Sequence, residues 1–419
     1  MRRLAAALCL ALTAPAAALA PPPDDEDALF GTEPAPTGDR EALLRSQDDH
    51  LQIGGLLYLR SVAVLTDSDR LADQRLSFPN ILETYLDARP SDRLRAFVKG
   101  RLTWNPSLSG TEPPTPAIGV AGASTSASVD TLLDELWLKF DVARTVFVTV
   151  GQQPVRWGTS RLWNPVDMIN ATRRPLLALY DDRTGVPLVK LHVPIESLGW
   201  NFYLLGFTEA VDSFEDAGGA ARAEFAFWTV EVALSGAWRA GADPRVGLDL
   251  SAGIWDLDVT SEVSATLRRD ADWSPSWLAT AGVEYGLRLG DEDVLYLGAE
   301  FLFNPDGTAD TVAALPGLLA GTVQPFYIGR YYAAGYASLP APGRWDDTTF
   351  LVSAISNLSD RSAIVRLDVS QRVLTYLTVQ LFVSAHVGEP GELRPGPDLN
   401  PAIPYTVLGQ AGAYLRLDI

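Results

Sequence analysis

The end of the chain alternates residue by residue: Tyr405, Val407, Gly409, Ala411, Ala413, Leu415, Leu417 and Ile419 are apolar or small, with Thr406, Gln410, Arg416 and Asp418 among the residues between. A period of two over this length describes a strand with one greasy face and one wet face. The pattern recurs from Leu51 onward. It predicts strands over 51–64, 80–88, 93–104, 132–141, 146–153, 186–193, 200–208, 220–227, 230–239, 245–252, 256–266, 277–288, 294–304, 326–338, 347–356, 363–370, 375–384 and 403–419, eighteen in all, with sixteen as the alternative count.

The connections alternate in length. Every even-to-odd connection is brief, as in Arg89-Pro90-Ser91-Asp92 and Val142-Ala143-Arg144-Thr145, whereas 65–79, 105–131, 154–185, 305–325 and 385–402 are long. A soluble sandwich has no reason to sort its loops this way. A barrel crossing an outer membrane does, since its periplasmic turns are short and its external loops long. The faces agree: Leu94, Ala96, Val98, Gly100, Leu102 and Trp104 alternate with Arg93, Arg95, Phe97, Lys99 and Arg101. Trp104, Trp200, Trp228, Trp238, Trp255 and Trp277 fall near strand ends, where interfacial aromatic girdles belong.

The first twenty residues read as an export signal: Arg2 and Arg3, an apolar run from Leu4 to Ala17, and the small-x-small Ala18-Leu19-Ala20. Its removal would take Cys9, the only cysteine, and with it any disulfide or thiolate metal site. Residues 21–50 open on Pro21-Pro22-Pro23-Asp24-Asp25-Glu26-Asp27 and cannot bury enough apolar surface to fold alone; they read as a disordered periplasmic segment or, alternatively, a partner-binding or plug segment. The expected organisation is a signal at 1–20, an acidic segment at 21–50 and an all-β transmembrane antiparallel barrel at 51–419. Beyond the signal no apolar run of about 18 residues occurs, so no membrane-spanning helix is expected. A net charge of −19 argues against nucleic acid.

Eighteen strands enclose a lumen too wide for side chains to fill, so it holds a water channel or an inward-folded plug. Inward positions are zoned by charge. Arg93, Arg95, Lys99, Arg101, Lys139 and Lys190, diluted by Glu135 and Asp141, make one wall mainly basic, and Glu224, Glu231, Asp249, Asp258, Glu262 and Glu300 make the other acidic. Opposed charges across a narrow low-dielectric tube would orient polar solutes; the alternative is that they pair along the wall.

The connection 154–185 is the most distinctive segment. Pro154 interrupts the ladder, Asn164-Pro165 favours a turn, and Trp157 and Trp163 are poorly suited to water. It is net basic, with Arg156, Arg161, Arg173, Arg174 and Arg183 against Asp167, Asp181 and Asp182. We expect it to fold inward and narrow the pore, with Arg156, Arg161, Asp167, Arg173 and Arg174 at the constriction, where guanidinium groups meet anionic or sugar-like solutes. The competing expectation is that its arginines bind acidic wall residues.

Gly151, Gln153, Trp157, Gly158, Asn164, Pro165 and Asp167 form a Gly-x-Gln-x-x-x-Trp-Gly motif followed by Asn-Pro-x-Asp. This motif resembles a signature of porin-like outer-membrane barrels of Gram-negative bacteria, a loose group that includes alginate-export-type channels. Gln152 stands where that group often has a basic residue, and Ile419 ends the chain in place of an aromatic one. The resemblance implies an outer-membrane location amid lipid and lipopolysaccharide, and assembly by the barrel-assembly machinery through the terminal strand.

An enzyme is the main rival class. His50, His192 and His386 are the only histidines, no Ser sits in a nucleophile motif, and no His, Asp and Glu cluster has metal-ligand spacing. A lipid-facing dyad using His386 is the form such an enzyme would take. The other rival is a non-conducting receptor, adhesin or export-partner barrel using loops 105–131 and 305–325. The reading adopted is a passive channel for small hydrophilic or anionic solutes, without cofactor, metal or chemistry of its own.

Overall fold

The computed structural model describes residues 50–108, 128–170, 176–177, 180–181, 183–209, 211–290, 293–319, 323–397 and 404–419. The predicted segments at 1–20 and 21–50, His50 excepted, and most of loop 105–131 lie outside the described residues.

The strands are β1 (Leu51–Thr66), β2 (Arg75–Ser77), β3 (Asn80–Ser91), β4 (Leu94–Trp104), β5 (Val129–Val142), β6 (Val146–Gln153), β7 (Val186–Ile195), β8 (Trp200–Phe207), β9 (Gly218–Phe227), β10 (Val230–Arg239), β11 (Arg245–Ile254), β12 (Leu257–Arg268), β13 (Ser274–Leu289), β14 (Asp293–Phe303), β15 (Tyr331–Pro340), β16 (Thr348–Asn357), β17 (Ser362–Leu374), β18 (Leu377–Gly388) and β19 (Val407–Asp418). All belong to one sheet. β1 meets β2 at Val62↔Ser77 and β3 at Tyr58↔Ile81 in one unbroken register. β2 and β3 are therefore a single strand interrupted at Phe78-Pro79, where proline has no N–H to give the ladder. The nineteen segments make eighteen wall strands.

Each strand pairs antiparallel with its neighbours, and β1 closes on β19 from Leu56↔Asp418 to Thr66↔Val407. Gly55 and Ile419 exchange both backbone hydrogen bonds at 2.8 Å, so the last residue is itself part of the seam. A closed sheet leaves no edge, which is what a bilayer demands of strands.

The two faces are the reverse of a soluble protein. Leu133, Leu136, Leu138, Leu234, Val246 and Leu248 are exposed on the outside, while Arg222, Asp249, Glu262, Glu300, Arg366 and Asp368 are buried within. The outer face is suited to lipid and the inner face to water, as in an outer-membrane barrel. Trp104, Trp238 and Trp277 stand half-exposed at the long-loop end. At the other end the turns are tight: three residues separate the paired Val142 and Val146, and two of them, Ala143 and Arg144, are left-handed (φ 54° and 56°).

A bulge between β4 and β5 departs from simple alternation. Lys99 pairs with Glu135 but Gly100 pairs with Leu133, leaving Asp134 as an extra residue in β5. Asp134 and Glu135 both turn inward, and Lys99 Nζ sits 2.9 Å from one and 2.7 Å from the other. The extra carbonyl is not wasted: Asp134 O accepts from the Gly185 amide at 3.1 Å.

Two long connections fold back over the lumen as well. The segment between β14 and β15 carries a short helix, α1 (Thr311–Leu319). The segment after β18 brings Leu393 to full burial.

Candidate functional site

The loop between β6 and β7 turns into the barrel at Pro154. Its first limb places Val155, Trp157, Val166, Met168 and Ile169 in one buried cluster with Val186, Leu188, Leu205, Phe207 and Ala220 of β7, β8 and β9. Its middle carries Trp163, fully buried, into a second cluster with Leu302, Tyr332, Ala334, Ile355 and Ile364 of the far wall and Leu393 of the connection after β18. Leu176 and Leu177 pack against that same cluster. Tyr180 then joins a third cluster around Tyr58, Phe382 and Tyr414, and its hydroxyl donates to Glu83. The described parts of the loop thus touch the inner wall around most of its circumference.

Hydrophobic contact alone does not hold it there. Glu262 of β12 accepts hydrogen bonds from the amides of Thr159 (2.7 Å), Ser160 (2.7 Å) and Val166 (3.1 Å) and from Asn164 Nδ2 (3.3 Å). Glu300 of β14 accepts from the amides of Arg161 (3.2 Å), Leu162 (3.1 Å) and Trp163 (2.8 Å). Five consecutive backbone N–H groups, 159 through 163, are received by two wall carboxylates. Hydrogen bonds to an ionised acceptor are about twice as strong as neutral ones.

The sequence motif is the loop's half of this arrangement. Gly158 has φ +104°, and a Cβ there would lie 2.5 Å from Glu262 Oε1. Only glycine lets the carboxylate reach the next two amides. Gln153 is buried, its Nε2 donating to Thr149 O and Leu188 O where the strand ends. Trp157 lies under the Arg222 guanidinium at 5.8 Å. Asn164-Pro165 makes a turn closed by the Asp167 amide on Asn164 O (3.1 Å). Asp167 is buried and accepts from Arg183 Nη1 at 2.6 Å and Asn170 Nδ2 at 2.7 Å.

Of the expected constriction residues, Arg156 is exposed and Arg161 is 63% exposed, with its Nη2 2.8 Å from Glu284 Oε1. Arg173 and Arg174 lie outside the described residues. Along the wall, Arg95 bonds Asp87 (2.8 Å), and Arg101 is buried between Glu83 and Asp134, both at 2.7 Å. Lys139 stands over the Phe147 ring at 5.8 Å, and Lys190 shares a row with Thr149 beside it. Asp258 is exposed. Cross-strand ion pairs therefore take up much of the expected basic wall, and the loop amides take up Glu262 and Glu300 of the acidic one. Sequence reading missed Glu83, Asp134 and Glu284 as partners. Only contacts between segments distant in sequence reveal them.

The strand β18 runs to Gly388, which places His386 on the inner face, buried, with Nδ1 2.5 Å from Leu393 O. It does not face lipid. Among the described residues, no group of three or more His, Cys, Asp or Glu is placed to hold a metal. A cavity of about 360 Å³ beside the loop is lined by Arg161, Leu162, Tyr336, Ser353, Ile355 and Asp368 among others.

No protein-family model and no curated protein matches the sequence. Solved structures do. The chain is similar to OccK9 (OpdG) of Pseudomonas aeruginosa, at 11% identity and a TM-score of 0.57, covering 88% of this chain and 98% of that one. It is similar to a BenF-like porin of Pseudomonas fluorescens at 13% identity and a TM-score of 0.54, covering 89% and 99%. The chain has the outer-membrane porin fold. This porin fold also aligns with Wzi of Escherichia coli, described as a carbohydrate-binding β-barrel involved in capsule assembly, at 9% identity and a TM-score of 0.53, covering 90% and 87%.

Proposed function

We propose that this barrel is a passive channel for small hydrophilic solutes, anionic ones included, and that the loop 154–185 narrows its pore. The observation that carries this reading is the loop's course: it leaves the wall at Pro154, packs on opposite sides of the lumen through Trp157 and Trp163, and is held there by Glu262 and Glu300. A loop pinned to the inside of a wide barrel reduces the bore while leaving a path beside it. Among the described residues of the loop, Arg156 and Arg161 are exposed cations, which supports a preference for anions. Lumen charges paired along the wall would leave the pore only weakly selective, which suits a mixed range of polar solutes.

The test is swelling of liposomes containing the refolded barrel in neutral and anionic solutes of graded size. Uptake that falls with solute size supports a narrowed channel. A folded barrel giving no swelling in any solute would overturn it.

A second reading has its own support. The connections between β14 and β15 and after β18 fold over the lumen and meet at Trp163, whose Nε1 donates to Phe326 O at 3.2 Å. With the likeness to Wzi, such covering loops suit a barrel that binds a saccharide at its outer face without conducting.

A further inference from the structure

We propose that Glu262 and Glu300 are the positioning residues of the pore: they fix residues 159–163 against β12 and β14 and so set the bore, without contacting solute themselves. This rests on the loop narrowing the channel and names what holds it in place.

Three observations support the assignment. Both carboxylates are buried, and Glu262 is wholly so. Among the described residues neither takes part in an ion pair; their partners are the loop's amides, with Asn164 and Thr280. A run of N–H groups turned toward one side forms an anion-binding concavity, and here the anion is supplied by the wall. Finally, Gly158 has no side chain to obstruct Glu262. Asp258, on the same strand, is exposed and makes none of these bonds, so it separates loss of charge from loss of the clamp.

Glu→Gln keeps the shape but puts an NH₂ group where backbone donors need an acceptor. The loop segment should then detach from β12 and β14. With Cys9 replaced by Ser, spin labels attached through Arg161→Cys and Arg144→Cys report the distance from the loop to a periplasmic turn. We expect one narrow distance in the otherwise native barrel, a broad distribution in Glu262→Gln/Glu300→Gln, and a narrow one in Asp258→Asn. Single-channel conductance of Glu262→Gln/Glu300→Gln without labels should rise about twofold and become noisy. Glu262→Asp, which keeps charge and loses reach, should broaden the distance part-way and serves if the double variant does not fold. A distribution unchanged in the folded double variant would overturn the clamp whatever the current. A distribution that broadens in a barrel carrying no current would uphold the clamp and refute the channel.

Discussion

Arg183 Nη1 lies 2.6 Å from the Asp167 carboxylate and so ties the returning limb of the inward loop to its outgoing limb, sixteen residues earlier. The same guanidinium bonds Asp181 through Nη2 at 2.8 Å. Burial pushes the Asp181 carboxyl up, but its bonds to Arg183 outweigh this and hold it below the usual carboxylate range. The loop is therefore closed on itself as well as pinned to the wall.

Removing one partner should open that closure. Arg183→Ala takes the guanidinium from the buried Asp167 carboxylate, and breaking a buried ion pair costs about 3–5 kcal/mol. We expect faster proteolysis within 154–185 with the thermal melting of the barrel nearly unchanged, since the strand ladders do not involve either residue. Equal loss in loop and barrel would contradict a locally held loop.

Gly158→Ala should act through two atoms at once. Left-handed backbone costs about 1–3 kcal/mol for a side-chain-bearing residue, and the new methyl would sit 2.5 Å from Glu262 Oε1. The expected outcome is a noisier single-channel current at unchanged barrel content by circular dichroism. Quiet currents equal to wild type would mean that Glu262 does not need the space.

Trp163 is wholly buried and touches the far wall. Truncation of a buried Trp typically costs about 3–5 kcal/mol. Trp163→Ala should lower the melting temperature and increase the width of the conductance distribution, because the middle of the loop loses its apolar contact while Glu300 still holds its amide.

Glu392 predicts a pH effect at the outer loops. Burial pushes its carboxyl up to about 7 from 4.5, despite hydrogen bonds from Tyr332, the Phe326 amide and Asn357. A raised acid binds more protons folded than unfolded, so its contribution is fully present below 4.5 and is lost as pH rises through about 7. Hydrogen exchange in 389–397 should therefore be slower at pH 5 than at pH 8, at matched intrinsic rates. In Glu392→Gln the difference should shrink; an unchanged difference would assign it to another group.

Most of the wall was legible because a membrane barrel writes its two solvents into alternate residues. All eighteen expected strands are present, with the largest displacement at β15, expected from 326 and beginning at Tyr331. There Phe326 and Tyr327 look like strand residues but belong to the covering loop, where they pack against Trp163 and its neighbours. Asp134 escaped because a bulge breaks the period of two. The loop's inward fold was legible in Pro154, Trp157 and Trp163, which have no use in water. Its anchors were not: Glu262 looks like any inward charge, and its link to Thr159 and Ser160 spans about a hundred residues, a distance at which alternation carries no information.

Single-channel recording in a planar bilayer under a salt gradient tests the account most directly, comparing wild type with Arg156→Ala/Arg161→Ala. The account predicts stable open currents in both, with an anion preference that falls in the double variant as these two exposed cations are lost. A folded wild-type barrel that carries no current, or a preference that does not move, would contradict a pore narrowed by this basic loop.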